Sequence, residues 1–314
     1  EDGVKLLALA ALFLCSWPLQ AQETHYSSFG GVNNSIDSML IADSDAQDSQ
    51  NVLTDEGDLR TIYGNLLYSV VGSSSIAFLK EWLNSSGQRV LFVQSGYTLY
   101  ATDPSSGTIT AIKYFGANRE VDMAAAFDRA YFTDGTTGAF YSTGSSTTVS
   151  TGFEDCKYVE LYQTRLACVN MSTDSSKVTL SAYNSPADFV VSSSKDSCAV
   201  KYFNKADGEG INCVYTTPEG LFIGKSNSVG ILKGSDNETF YWYYIASDVG
   251  CTDDRTVQIV DGELIWLTRD GYYSYDFNGL PKPISLKIKT STDLIRKSNS
   301  ADSAWTVNTQ AAWQ

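Results

Sequence analysis

Carboxylates, cysteines and aromatic rings are the side chains in this sequence with the numbers to do chemistry. Asp and Glu total 36, against a single histidine, and six cysteines are spread over 314 residues. Asp253-Asp254 is a paired acid. On a strand, however, adjacent side chains point to opposite faces, so the two serve poorly as an acid and base unless they lie in a loop. Asp43, Asp45 and Asp48 gather the hard oxygen ligands that calcium takes. They lack the glycine and distal glutamate of an EF-hand loop and read as a solvated turn. His25 has no Cys or Asp arrangement around it and reads as a surface residue. There is no C-x-x-C pair, no G-x-S-x-G elbow, and no Walker or dinucleotide glycine pattern. A sialidase-like hydrolase would repeat Ser-x-Asp-x-Gly-x-Thr-Trp turns. Ser235-Asp236-Asn237-Glu238-Thr239 is one imperfect echo, without the glycine. We therefore expect no catalytic residue, no metal ligand and no cofactor, and keep a sialidase-like glycoside hydrolase as the enzymatic alternative.

The cysteines suggest cross-links instead. Cys15 lies in the apolar N-terminal run, which leaves Cys156, Cys168, Cys198, Cys213 and Cys251. A hairpin turning beside Asp207-Gly208 would set Cys198 opposite Cys213, at about the Cβ separation of directly paired strands, ~5 Å. A small adjustment then permits a disulfide. Cys156 and Cys168 form the natural second pair, around a turn near Tyr162, and Cys251 is left as the free thiol. Buried, unpaired thiols are the alternative, since a free cysteine packs as a small hydrophobe.

The aromatic content points to contact surfaces. Phe240–Tyr244 reads FYWYY. On a strand, Phe240, Trp242 and Tyr244 face one side, and Tyr241 and Tyr243 the other. One face packs a core. The other can remain exposed as a contact row, so Tyr241, Trp242 and Tyr243 are the candidate binding residues for a protein or glycan surface. The alternative is burial of both faces between sheets. A net charge of −14 and a pI near 4.4 repel nucleic acid. The short basic run Lys287, Lys289, Arg296 and Lys297 reads as a solvated turn.

Short apolar strands must position these residues. RVLFV begins at Arg89, RAYFT at Arg129, RLACV at Arg165, GLFIG at Gly220 and ELIWLT at Glu263. Each is followed by a turn and a second strand. Thr256–Gly279 is the clearest unit, with Asp261-Gly262 and Asp270-Gly271 as turns of a three-stranded meander. Repeats roughly 40–50 residues apart, each holding several strands, are the signature of propeller blades. An insertion over Ser192–Gly210 stretches one interval. The expected fold is all-β and β-propeller-like, with antiparallel three- to four-stranded blades. A β-sandwich is the alternative. Asp122–Phe127 is expected to form at most one helical turn.

The ends differ from this middle. Lys5, the run LLALAALFLCSW and Ala21 read as a signal peptide over 1–21, too short in its apolar part to span a membrane. An extended polar segment covers 22–58 and the propeller-like domain 59–290. Residues 291–314, with Trp305 and Trp313, read as a further segment or a closing strand. The mature chain is expected to be secreted, periplasmic or on a cell surface, with no membrane span.

The order of motifs resembles tailed-phage virion β-propeller proteins of the tail and head–tail type. The residues that carry it are Asn51-Val52 and Gly57-Asp58-Leu59-Arg60 through Gly64. Further on they are NSPADF at Asn184–Phe189, Gly210–Thr216, Gly220–Lys225, Ile231–Gly234 and Ile245–Asp276 with Val249-Gly250-Cys251. The likeness spans about 28–280. It implies a non-enzymatic structural role in an assembly, and a place in a virion.

Cleavage is predicted after Ala21. Intact-mass analysis of the exported protein should show residues 1–21 gone, and retention of Glu1 would refute the assignment.

Overall fold

The computed structural model describes residues 71–285, apart from 73, 104, 118, 137–139, 145–146 and 150–154, and four short strands before them. The expected signal sequence, His25, Asp43, Asp48, the basic run from Lys287 and the terminal tryptophans lie outside the described residues. The chain divides into two units, Glu1–Tyr63 and Gly64–Gln314. In the first, β1 (Gly31–Val32) pairs in parallel with β2 (Asp45–Ala46), and β3 (Val52–Asp55) forms a hairpin with β4 (Asp58–Thr61).

In the second unit the described strands form five four-stranded antiparallel sheets, each a simple meander. Blade 1 is β5 (Ile76–Leu83), β6 (Arg89–Ser95), β7 (Thr98–Thr102) and β8 (Ile109–Tyr114). Blade 2 is β9 (Asp122–Ala126), β10 (Arg129–Thr133), β11 (Phe140–Ser142) and β12 (Thr147–Val149). Blade 3 is β13 (Cys156–Tyr162), β14 (Arg165–Met171), β15 (Lys177–Leu180) and β16 (Ala199–Tyr202). Blade 4 is β17 (Ile211–Thr217), β18 (Gly220–Lys225), β19 (Val229–Lys233) and β20 (Tyr241–Ala246). Blade 5 is β21 (Gln258–Val260), β22 (Glu263–Thr268), β23 (Gly271–Tyr275) and β24 (Lys282–Pro283).

Packing separates a propeller from a sandwich. A sandwich closes one core between two sheets. Here four cores follow one another. Phe92, Phe132 and Phe140 lie between blades 1 and 2, and Tyr131, Leu166 and Met171 between 2 and 3. Leu180, Phe203 and Leu232 lie between 3 and 4, and Phe222, Ile231 and Trp266 between 4 and 5. Inner sheets are thus covered on both faces. That is why the second strand of each blade reads as a near-continuous apolar run and is almost wholly buried, as in β14 and β18. The fold is an all-β propeller.

Asp122–Phe127 is not helical. Asp122–Ala126 is the first strand of blade 2, paired with β10 from Asp122↔Thr133 to Ala126↔Arg129. Pairing and burial of Met123 and Ala124 override the helical preference of the alanines.

Both expected disulfides are corrected. The five cysteines from Cys156 onward are buried and none of them is in a disulfide. No hairpin joins Cys198 to Cys213. Ala199–Tyr202 is the last strand of blade 3, paired with β15, whereas Cys213 sits in the first strand of blade 4. The residues between them cross from one sheet to the next, through a 3-10 turn at Lys205–Asp207. Cys156 and Cys168 do lie on paired strands, but Cys156 is opposite Met171 and Cys168 opposite Val159. That three-residue offset is about 10 Å along a strand. It arises because the turn falls at Gln163-Thr164 rather than at Tyr162.

The crossover is held by a buried lysine. Lys225 is fully buried, and its ammonium donates to Asp207 Oδ1 at 2.7 Å, Asn204 O at 2.9 Å and Ser176 Oγ at 3.0 Å. Removing the carboxylate strands a buried charge, which costs about 3 kcal/mol or more. Urea titration of Asp207→Ala should show a loss of that order, and Asp207→Ala/Lys225→Met should recover most of it. Equal losses in both variants would contradict this role.

Candidate functional site

The first strands of the blades surround one cavity of about 240 Å³. All five blades line it, with Lys80, Asp122, Glu160, Tyr215, Asp254, Arg255 and Gln258 as its polar residues. A smaller hollow beside it shares Asp122, Asp254 and Arg255 and adds Glu120, Lys157, Tyr158 and Asp253. This is the axis of the propeller.

Most of its polar groups bond a neighbouring blade. Lys80 Nζ donates to Met123 O at 2.6 Å, from blade 1 to blade 2. Asp122 accepts Val159 N–H at 2.8 Å, from blade 3, while its other oxygen accepts its own strand's Met123 N–H at 2.8 Å. Thr216 Oγ1 donates to Leu161 O at 2.5 Å, tying blade 4 to blade 3. Asp254 Oδ1 accepts Val214 N–H at 2.7 Å, tying blade 5 to blade 4. Arg255 Nη1 donates to Ala77 O at 3.0 Å and so ties blade 5 back to blade 1.

Crowding carboxylates into this space shifts their protonation. Burial pushes Glu160 up to about 7. The Asp122 charge adds to the rise, and Lys80 and hydrogen bonds from Thr216 oppose it. Burial, then the charges of Asp122 and Glu160, drive Asp254 well above the usual carboxylate range, against the Val214 N–H and Lys80. Asp253 is raised by burial and held back by the Arg255 N–H and charge. Asp253 and Asp254 are not on a strand. Asp253 caps the 3-10 turn Asp254–Thr256 by accepting Arg255 N–H at 2.9 Å, and Asp254 turns into the cavity. The loop exception to the adjacent-residue argument therefore applies. A carboxyl that titrates near neutrality can exchange protons at working pH. Among the residues lining this cavity there is one arginine, and its guanidinium is bonded to Ala77 O.

The aromatic run forms the other candidate. Tyr241–Ala246 is the last strand of blade 4, bonded to β19 alone among the described strands. Phe240 is buried, and Trp242 is half-buried with its ring 4.9 Å from that of Phe203. Tyr244 lies on the same side, stacked on Phe203 at 5.6 Å, yet 55% exposed. Tyr241 and Tyr243, on the opposite side, are 58% and 42% exposed. Lys233 Nζ sits 5.1 Å over the Tyr243 ring and bonds Glu219 at 2.8 Å. Tyr243 also hydrogen-bonds Tyr275, whose phenol burial and this neighbour push up to about 12. A groove of about 460 Å³ runs past Tyr244, Ala246, Asp248, Asn204 and the exposed Leu280. The alternation expected along this strand holds. It parts Trp242 from Tyr241 and Tyr243, so the three candidate residues do not share a face, and Tyr244 joins the exposed set.

The sequence reading missed the axial polar groups. Lys80, Asp122 and Glu160 come from three distant strands, and no local motif links them. It also missed Arg165, which is fully buried and donates to the carbonyls of Ser181 and Ser197 at 2.8 Å each, pinning the loop before β16.

No family model and no curated protein matches the chain. Among solved structures, similar chains include BamB from Moraxella catarrhalis, at 9% identity and a TM-score of 0.44, over 66% of this chain and 61% of that one. The β-propeller domain of Cps50 (Swd1) from Myceliophteria thermophila shows 11% identity and a TM-score of 0.43, over 65% of each chain. The extracellular domain of BT4673 from B. thetaiotaomicron shows 12% identity and a TM-score of 0.40, over 71% of this chain and 34% of that one. This chain thus spans less than two thirds of each of these. Such likeness assigns no function. No helix among the described residues is long and apolar enough to cross a membrane.

Glu160 makes stability pH-dependent in a defined direction. Its folded pKa, about 7, exceeds the ordinary 4.5. The folded chain therefore binds more protons between these values, and this contribution to stability falls as pH rises through that window. Glu160→Gln should remove this contribution and leave the slope due to Asp253 and Asp254. After discounting for water in the cavity, the variant should gain about 1–2 kcal/mol on wild type between pH 4.5 and 7.5. Urea unfolding at both pH values checks this, and parallel curves would refute it.

Proposed function

We propose that this chain is a non-enzymatic, exported binding propeller that engages a protein or glycan surface through the outer edge of blade 4. One observation carries the reading: Tyr241, Tyr243 and Tyr244 stand exposed on a last strand whose outer edge has no partner among the described strands. Tyrosine supplies a rigid apolar ring and a hydroxyl at low entropic cost, which suits it to contact surfaces. An open strand edge offers main-chain donors and acceptors to an added peptide strand. The axis supports the same reading from the other side, because Lys80, Asp122, Asp254 and Arg255 are committed between blades. The acidic chain disfavours polyanions. An assembly partner of the kind implied by the virion resemblance would dock on this same edge.

The test uses a printed glycan array and a displayed library of random peptides, probed with the purified chain. Binding should be found in one of the two sets. Tyr241→Ser/Tyr243→Ser/Tyr244→Ser should weaken it at least ~30-fold, as expected for loss of central aromatic contacts, with the far-UV circular dichroism of the folded chain retained. Undiminished binding by the variant, or no binding by the wild type to either set, would reject the proposal.

A further inference from the structure

Cys213 and Cys251 meet inside the molecule although they come from different blades. Cys213 lies in β17, opposite Gly224 in the adjoining strand. Cys251 lies in the segment that leads from blade 4 into blade 5. Its N–H bonds Lys225 O at 2.7 Å, and its carbonyl accepts from Asn212 Nδ2 at 3.3 Å. It is therefore anchored to both strands, at the residues next to the Cys213–Gly224 pair. A Cβ placed on Gly224 would fall 2.5 Å from both Cys213 Sγ and Cys251 Cβ. The two side chains thus share the space that a side chain at 224 would fill, and glycine keeps that space open. Both cysteines are completely buried. Their neighbours Phe222, Val229, Ile231, Val257 and Trp266 are apolar. The Cys213 thiol hydrogen-bonds Cys251, and Cys251 in turn donates to Asp253 O at 3.5 Å.

We infer that Cys213 and Cys251 form a disulfide when the chain folds in an oxidising environment, sewing blade 4 to blade 5 beside the axis. The inference does not rest on the tyrosine edge. In the chemistry, one cysteine thiolate attacks a disulfide oxidant such as glutathione disulfide, forms a mixed disulfide and releases one glutathione thiolate. The second cysteine thiolate then displaces the other glutathione. The balance is two thiols and one glutathione disulfide giving one protein disulfide and two reduced glutathiones. Burial pushes the Cys213 thiol well up and excludes oxidant from the packed core. The exchange therefore belongs to folding, before blade 5 closes over the pair. The bond would enclose the whole of blade 4 in a loop, and long loops are where a cross-link restrains the unfolded chain most.

Cys198 and Cys168 do not compete with this pair. Cys168 packs between blades 2 and 3, on the far side of blade 3 from Cys213. Cys198 precedes the last strand of blade 3, whereas Cys213 lies in the first strand of blade 4.

The experiment refolds the full chain from denaturant in a reduced and oxidised glutathione buffer. Remaining thiols are then alkylated under denaturing conditions and the peptides mapped without reduction. A Cys213–Cys251 cross-linked peptide should dominate, with Cys156, Cys168 and Cys198 alkylated. The oxidised chain should melt ~5–10 °C above the same chain refolded in reductant. Cys251→Ala should abolish that difference and leave Cys213 alkylated. Alkylation of both Cys213 and Cys251 in the refolded wild type, or pairing of either with another cysteine, would overturn the inference. The peptide map of the wild type decides the matter even where the variant fails to fold.

Discussion

The first strand of each blade leaves one edge without a strand partner, facing the axis. Its N–H and C=O groups still need partners, because a buried, unpaired backbone group costs as much as a lost hydrogen bond or more. The structure meets this need with side chains from a neighbouring blade. Asp122 and Asp254 accept N–H groups of Val159 and Val214, while Lys80, Thr216 and Arg255 donate to carbonyls of Met123, Leu161 and Ala77. Each of the five junctions has one such bond. Apolar packing holds neighbouring sheets face to face but fixes neither their register nor the closure of the ring. The directional bonds supply both, and Arg255 joins the last described blade to the first.

This constraint shapes what the axis can do. Charged groups are there because backbone groups need partners, and gathering them raises the protonation equilibria of Glu160, Asp253 and Asp254. Perturbed carboxyls in a cavity often mark chemistry, but structural networks perturb them as well. Here Asp254 bonds Val214 N–H and Glu160 bonds Thr216, both of blade 4, and Asp253 caps its own turn. The outer edge of the ring is under no such demand. The β20 strand can therefore carry exposed tyrosines, with Phe240 and Trp242 anchoring one face and Ile245 the other.

The sequence showed the strands that are buried on both faces and hid those that line the axis. RVLFV, RLACV and GLFIG are legible because a second strand sandwiched between cores has no polar alternation. The first strands mix axis-facing polar residues with blade-facing apolar ones. Asp122–Ala126 consequently looked like a helical fragment. Turn chemistry hid more. Asp261-Gly262, with both residues at positive φ, is a readable hairpin turn. Phe127-Asp128 and Gln163-Thr164 adopt positive φ as well, without glycine, and no local signal marks them. The slip at Gln163-Thr164 misplaced the Cys156–Cys168 pair. The cysteine reading assumed a local hairpin, whereas the real neighbours, Cys213 and Cys251, are separated by an entire blade.

Lys225 shows why such distant pairs come together. It ends the second strand of blade 4, and its backbone N–H closes the turn to Ser228 O at 2.8 Å. Its ammonium reaches back to Asn204, Asp207 and Ser176 of blade 3 and the crossover, and its carbonyl reaches forward to Cys251 at the entrance to blade 5. One side chain and one peptide unit thus touch three consecutive blades. A buried ammonium tolerates little displacement, since each acceptor it loses leaves charge uncompensated in an apolar setting. The lysine therefore fixes the crossover on one side, while its carbonyl fixes Cys251 on the other. The position of Cys251 beside Cys213 follows from where that ammonium must sit.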